Sequence, residues 1–487
     1  MLTLRWMWGL GAFVLLGVLT SLVVNRCTLA TVMCLLLVPP IAFLAPFALG
    51  QGARNLSTLR KQLAWWHALW LLMFLSTLVF RMRDVQAIRE TAVDFWGAYR
   101  IVLVGTIGLV LALRLVLRQT EWIGSLFRGL VCAMALYAII CVVSISWSVY
   151  PAWTMYKSLE YLLLLALVAA ILATVRSAEA FKTLFDWTWV LYGLLLASVW
   201  FGVLVWPQEA LKQGVGLLGL QLYGVLPILH ANTVGELGAI LATVALARLL
   251  SVTQCRANRA LCTLLFAVSL VTLILSQTRS AISGFLLGAA ILFLFSRRTR
   301  AMAFVISAVA VLLLLTNAGG TFWAYFLRGQ SPELFQSLSG RVGWWEFGLD
   351  KLLERPLTGY GAYAGGRFAV LEEMGVTSTA STHNAYFEVI IGTSFWGLIP
   401  VIIALMGIWW VLTRVLRSPS FGGVDRQLAV EAVGVLGVIT VRSFLTSHLI
   451  WNTSLVFLLV LGYAEFLRRK HKSKAGTTAQ LVSAERR

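Results

Sequence analysis

The sequence predicts an all-α polytopic membrane protein of about fourteen transmembrane helices, or twelve if a short pair is re-entrant, with one long, partly helical loop. Three observations carry that prediction. Of 487 residues 60% are hydrophobic and 12% charged, and the mean hydropathy is +0.86, far above the balance of a soluble domain. Apolar runs long enough to cross ~30 Å of hydrocarbon recur from end to end. Trp and Tyr gather at the ends of these runs, as in Trp65-Trp66, Trp187, Trp206, Trp344-Trp345 and Trp409-Trp410, the headgroup level that amphipathic rings favour.

Taken in order, the expected spans are 8–25, 28–49, 63–80, 98–116, 126–146, 158–175, 187–206, 232–250, 260–277, 281–296, 301–316, 395–414, 429–446 and 450–467. The first run, Trp8 to Val24, is read as a helix and not a cleaved signal peptide. It has no convincing small-residue cleavage site and leads directly into another apolar run. The organisation that follows is a transmembrane bundle of about eleven spans over 1–316, an outer loop or lid over 317–394, C-terminal transmembrane helices over 395–467, and a basic tail over 468–487. There is no internal repeat.

The formal net charge of +19 would suggest nucleic acid in a soluble protein. Here most Lys and Arg sit in short loops between spans, where they set orientation and meet anionic lipid, so a nucleic-acid partner is set aside. Six basic clusters fall on one side of this count: Arg54, Arg60 and Lys61; Arg114, Arg118 and Arg128; Arg176 and Lys182; Arg256 and Arg259; Arg297, Arg298 and Arg300; Arg414, Arg417 and Arg426. The tail Arg468-Arg469-Lys470-His471-Lys472 joins them, which puts both termini in the cytoplasm and the long loop outside. One loop dissents: Arg81, Arg83 and Arg89 fall outside, partly balanced by Asp84, Glu90 and Asp94. The cysteines, Cys27, Cys34, Cys132, Cys141, Cys255 and Cys262, lie in or beside apolar runs, with neither disulfide framework nor zinc spacing.

The long loop is rich in Trp, Phe, Tyr and Leu, a composition that orders rather than solvates. Ser339 to Arg355 reads as an amphipathic helix with Val342, Trp345, Leu349, Leu352 and Leu353 on one face, stopped by Pro356. Thr321 to Leu327 is aromatic enough to lie in the membrane interface. The loop is therefore expected to be an ordered lid resting on the membrane.

Ionisable groups in a bilayer are costly and point to a function or a buried partner. On this topology Lys157 and Glu160, His230, Asn232 and Glu236, Arg279, Arg442 and His448 gather at outer helix ends, and the lid adds Arg341 and His383. Arg279 sits in a tight turn between two spans and is either an interfacial arginine or a fork for phosphate oxygens. Arg442, about a turn inside a span, needs an anionic partner, either a ligand or a carboxylate such as Glu236. His383-Asn384 opens an apolar helix with Ser381 and Thr382 as N-cap candidates, and His383 is a candidate general base near neutral pH. His67 and His471 read as structural and tail residues. No Asp-x-Asp occurs in an outer loop and no phosphate-binding glycine loop is present, so neither a metal nor a nucleotide cofactor is expected. A donor used outside the cytoplasm must carry its own activation, which a lipid diphosphate would do.

These residues resemble the O-antigen ligase and polymerase superfamily of Gram-negative inner membranes along nearly the whole chain. The resemblance rests on Ser146-Trp147-Ser148, on Gly224 through His230-Ala231-Asn232, and on Ser276-x-Thr278-Arg279-Ser280. In the lid it rests on Ser339-Gly340-Arg341 with Trp345, on Pro356-Leu357-x-Gly359-x-Gly361, and on His383-Asn384 with Gly392 and Gly397 beyond. It implies a metal-independent, inverting glycosyltransferase of the GT-C type that moves glycan from undecaprenyl diphosphate to an acceptor hydroxyl in the periplasm. For a ligase that acceptor is lipid A–core. By the same resemblance His383 is the base and Arg279 and Arg341 bind the diphosphate. Arg442 is added to the diphosphate set on membrane physics alone, with Asn384, His230, Asn232, Glu236, Lys157 and His448 in support. An O-antigen polymerase or a protein O-oligosaccharyltransferase stays open within the superfamily. A lipid-linked glycan flippase, from another class, would be expected to show paired repeats and broken helices near the midplane.

The topology is testable directly. Reporter fusions at Gly340 and after Lys470 are expected to report opposite compartments, Gly340 outside; two cytoplasmic signals would break the site assignment.

Overall fold

The computed structural model describes residues 48–91, 93–251, 256–296, 298–315, 319–418, 421–450 and 454–485. The expected spans 8–25 and 28–49 lie outside these residues but for the last two positions. After a helical stretch at 48–60, the helices in chain order are α1 (Trp65–Thr77), α2 (Val85–Glu90), α3 (Phe95–Val116), α4 (Glu121–Leu126), α5 (Gly129–Val143), α6 (Pro151–Thr174), α7 (Ala178–Val205) and α8 (Pro207–Ala210). A two-stranded antiparallel hairpin follows, β1 (Leu211–Gln213) paired with β2 (Leu220–Leu222). Then come α9 (Ala231–Leu250), α10 (Arg256–Leu275), α11 (Arg279–Phe295), α12 (Thr299–Leu315), α13 (Gly319–Leu327), α14 (Pro332–Gln336), α15 (Arg341–Glu354), α16 (Ala385–Arg417), α17 (Gly423–Ser443) and α18 (Leu455–Glu485).

Among the described residues seven helical segments are long and apolar enough to cross a membrane: α3, Gly129–Trp147, α6, α7, α9, Asn258–Leu275 and α16. The chain is a polytopic, mostly helical membrane protein. Every expected span from 63–80 onward coincides with a helix, but α1, α11 and α12 hold 13, 17 and 17 residues, short of the ~20 that cross the hydrocarbon. The hairpin corrects the all-α expectation: its strands are only three residues long, too short to leave a pattern in sequence.

Contacts divide the chain into two compact units, Met1–Lys61 with Tyr192–Gln336, and Gln62–Leu191 with Ser337–Arg487. In the first unit α9 is the central helix. Its Gly and Ala positions let α10 come backbone to backbone, Gly238 lying against the Ser269 carbonyl.

In the second unit the lid residues dock on the loops between α1 and α6. The backbone N–H groups of Tyr360 and Gly361 donate to Ile391 O and Gly392 O at 2.9 and 2.8 Å, and Val149 N–H donates to Tyr360 O at 3.0 Å. Trp147 Nε1 donates to Thr358 O at 2.9 Å, and Thr154 Oγ1 to Ala362 O at 2.9 Å. Gly361, at φ 94°, has no room for a side chain, since a Cβ would lie 2.7 Å from Ser148 Cα. Ser146-Trp147-Ser148, Gly359-x-Gly361 and Gly392, far apart in sequence, thus form one contact.

The dissenting arginines belong to the same docking. Asp94 caps α3 through Gly97 N–H at 2.8 Å and lies 3.8 and 3.6 Å from the guanidinium groups of Arg81 and Arg83. Arg89 forks onto Glu372 with bonds of 2.9 and 2.8 Å. The Glu372 carboxylate raises the Arg89 pKa above the ordinary arginine value. Val85 and Ile88 of α2 bury against Ala364 and Phe368 of the lid, with Tyr150 and Trp153 beside them. Arg89 holds the lid to the unit through Glu372, while Arg81 and Arg83 brace their own segment through Asp94.

The lid helix α15 packs through Trp345, Phe347 and Leu352 onto Tyr360, Val370, Phe387 and Ile391. Gly348 is the notch, its ideal Cβ position 2.3 Å from Phe387 Cζ. Leu349 and Leu353, expected on the packing face, are 51% and 77% exposed on the protein. The ring of Phe387 draws the helix in at Gly348 and turns those two leucines outward. α16 breaks at Ser394 (φ 55°, ψ −156°), whose hydroxyl bonds the Pro356 carbonyl, and the expected span 395–414 begins after that break.

Gly348→Val is expected to lower thermal stability by about 1–3 kcal/mol, as for overpacking of a filled contact. An unchanged melting curve would mean that α15 is not seated on Phe387.

Candidate functional site

His383 occupies a turn that the second unit braces from three directions. Its φ of 59° is left-handed, which a bulky side chain adopts only at a cost of roughly 1 kcal/mol or more. Before it, Thr382 donates its N–H and, at 2.8 Å, its hydroxyl to the buried Glu388 carboxylate. The Thr382 carbonyl accepts Trp345 Nε1 from α15 at 3.0 Å. After it, Asn384 Oδ1 accepts the N–H groups of Tyr386 and Phe387, both at 3.0 Å. The helix cap is therefore Asn384, not Ser381 or Thr382. The helix begins at Ala385, so the cap position falls on Asn384, while Thr382 two residues earlier turns its hydroxyl to Glu388. Trp344 lies over the imidazole, 6.3 Å between centroids at 29°. A Cβ at Gly366 would stand 2.4 Å from a Glu388 oxygen, so the lid leaves that position bare for the carboxylate.

The same unit brings Arg341 and Arg442 to this end. Arg341, first residue of α15, donates Nη1 to Leu445 O at 3.0 Å, just past the end of α17. Tyr386 and Ser443 hydrogen-bond at 2.8 Å, and the Tyr386 ring packs on Phe444 at 4.9 Å. Arg442, in the last turn of α17, is 2% exposed. The start of α15, the start of α16 and the end of α17 thus meet, carrying Arg341, His383 with Asn384, and Arg442. His448 follows in a mostly buried segment that Tyr363 OH secures through Ile450 O at 3.0 Å.

Lys157 is inside α6, paired with Glu160 at 2.7 Å, both buried. Its ammonium lies over the rings of Trp153 and Tyr156 at 5.6 and 4.7 Å. Arg367, on a π-helical turn of the lid (Gly365–Leu371), shares the Trp153 ring at 5.4 Å and donates to Arg83 O at 2.7 Å. Burial lowers the Arg367 pKa to about 10, helped by the like charge of Arg83 and opposed by Asp84, Glu388 and Glu372.

The first unit holds His230, Asn232, Glu236 and Arg279. His230 stands at the N-cap of α9, edge-on to Tyr223 at 5.2 Å. Asn232 and Glu236 lie in its first two turns. The Ser276–Thr278 turn is tied to this helix end by Thr278 Oγ1 on Ala231 O at 2.9 Å. It is tied to the hairpin by Gln221 Nε2 on Ser276 O at 2.7 Å, and by Gln277 Nε2 on Val215 O and Leu220 O at 2.9 and 2.6 Å. Arg279 then donates to Phe326 O at 3.3 Å and Gln330 Oε1 at 3.0 Å, with Phe335 under its guanidinium at 4.8 Å. Among the described residues no three His, Cys, Asp or Glu side chains group to hold a metal.

Sequence reasoning missed Glu388 and Arg367. Glu388 stands one turn into an apolar helix, and the cost of a carboxylate there is the signal that would have found it. Glu388→Ala leaves the Thr382 donors without their acceptor, and an expected loss of about 1–3 kcal/mol of stability follows. Thermal melting of the purified protein reads it, and an unchanged curve would remove the bracing role.

No curated protein matches the chain. Residues 264–402 match the family model described as O-antigen ligase, a segment that contains Arg279, Arg341, His383 and Asn384 but neither Lys157, the start of α9, Arg442 nor His448. Over that segment, less than a third of the chain, the protein is similar to the O-antigen ligase family.

Proposed function

We propose that the protein is an O-antigen ligase of the cell inner membrane, with about fourteen spans, a GT-C architecture and both termini in the cytoplasm. It transfers glycan from undecaprenyl diphosphate to a hydroxyl of lipid A–core at the periplasmic face, with inversion and without a metal. The match to the O-antigen ligase family model over 264–402 supports the coarser statement, a ligase- or polymerase-type transfer of a lipid-linked glycan. The observation that carries the finer reading is the braced, left-handed His383 at the corner where Arg341 and Arg442 are also held.

In this reaction His383 accepts the proton of the acceptor hydroxyl as its oxygen attacks the anomeric carbon. The bond from that carbon to the diphosphate oxygen breaks, and its electron pair leaves with undecaprenyl diphosphate. Negative charge grows on the leaving group, and fixed guanidinium groups in a site of low dielectric stabilise it without reorganising. Arg279, Arg341 and Arg442 supply that charge. Lys157, His230, Asn232, Glu236, Asn384 and His448 shape and orient the surroundings.

Reconstitution with undecaprenyl-diphosphate glycan and rough lipopolysaccharide tests the reading. The expected product is glycan-bearing lipopolysaccharide, formed in EDTA and without ATP. Longer lipid-linked chains alone would make the protein a polymerase, and movement of the donor across the bilayer without transfer would make it a transporter.

His383→Ala is expected to keep donor binding and lose roughly 10²–10⁴-fold in turnover, the range for a general base. Lost donor binding with normal turnover per bound donor would make His383 a ligand-binding group instead.

A further inference from the structure

The first unit contains an arginine that the proposed mechanism does not use. Arg328 follows the last residue of α13 with φ 58°, at the position after a helix where glycine is the ordinary choice because a side chain there is strained. Gly329 stands next to it and is left-handed too, at φ 73°. A long cation is thus kept where the backbone favours none.

The surroundings of Arg328 are built, not loose. The hairpin loop packs on its backbone, a Cβ at Gly216 falling 3.2 Å from Arg328 Cα. Arg279 brackets the same turn, donating to Phe326 O on one side and to Gln330 Oε1 on the other. Arg328 thus rises from a turn that the Arg279 guanidinium holds at both ends, and its charge acts on that of Arg279. Lys212 of β1 lies over the Tyr223 ring at 4.2 Å. Among the described residues no carboxylate stands within 4.0 Å of Arg328 or Lys212, and Arg328 Nε is closed off from solvent with no acceptor.

Two like charges borne by one partly buried turn repel, and an acceptor-only group that reaches both relieves the repulsion. It must carry about two negative charges over several oxygens, which a diphosphate ester does with one charge on each phosphorus.

We propose that Arg328 is a diphosphate-binding residue, the second guanidinium of a paired-arginine clamp with Arg279, with Lys212 adding long-range attraction at its rim. This assignment rests on the lipid-diphosphate donor of the proposed function and adds a residue to it.

The test is binding of undecaprenyl diphosphate, and separately of inorganic pyrophosphate, to the full-length protein in nanodiscs. Arg328→Ala is expected to weaken undecaprenyl diphosphate binding by roughly 10- to 100-fold, the scale of one charge-assisted contact. Arg328→Lys recovers part of that loss, because an ammonium keeps the charge but not the fork. Arg328→Gln, which keeps most of the aliphatic stem, replaces the Ala variant if melting shows that the latter does not fold. Wild-type binding in Arg328→Ala and Arg328→Gln overturns the proposal. So does a wild-type protein that binds pyrophosphate but not the lipid, which would make the clamp a site for a soluble anion. The two readings fail separately. Donor binding that depends on Arg328, without transfer to lipid A–core, breaks the ligase reading alone. Normal transfer and normal binding in the variants break only the clamp.

Discussion

A carboxylate inside an apolar helix must find its hydrogen-bond donors within its own protein, because the surroundings offer no water. Glu388 finds them in the N–H and hydroxyl of Thr382, six residues earlier in the chain. That single requirement folds the chain back over the start of α16 and leaves His383 at the apex in a left-handed conformation. Asn384, next after the apex, caps α16, and the Thr382 carbonyl is the anchor for Trp345 of the lid helix. The bare backbone at Gly366 follows from where that carboxylate sits, and the neighbouring Phe387 seats against Gly348 of α15.

The lid is held by the same economy of partners. Its backbone between Thr358 and Ala362 is bonded to Trp147, Val149, Thr154 and the Ile391–Gly392 carbonyls, and its outer edge by Arg89 on Glu372. Surface ion pairs contribute little on their own. The Arg89 pair matters because it closes a contact already made apolar by Val85, Ile88, Ala364 and Phe368. Of the basic cluster that dissents in the loop count, Arg89 is thus a packing residue of the lid, and Arg81 and Arg83 pair with Asp94.

Much of the fold was legible in the sequence because hydropathy acts through length and composition, which no tertiary contact changes. The apolar runs from 63–80 onward each coincide with a helix. The residues of the candidate site were legible for the same reason inverted, since His383, Arg279, Arg341 and Arg442 stand out against an apolar background. The face of α15 was legible only in part. A helical wheel places Leu349 and Leu353 with Leu352, and a single aromatic ring in a glycine notch decides which of them turns inward.

The sequence by itself determined the class of molecule, the placement of its helices and the short list of polar residues that chemistry could use. The tertiary structure decided what holds them. Arg279 is fixed by the Phe326 carbonyl, Arg341 by that of Leu445, Arg367 by that of Arg83, and Trp345 by that of Thr382. Every residue carries a main-chain carbonyl, so no pattern of side chains announces which one will be the partner. Only the path of the folded backbone brings that oxygen to the guanidinium or indole that needs it.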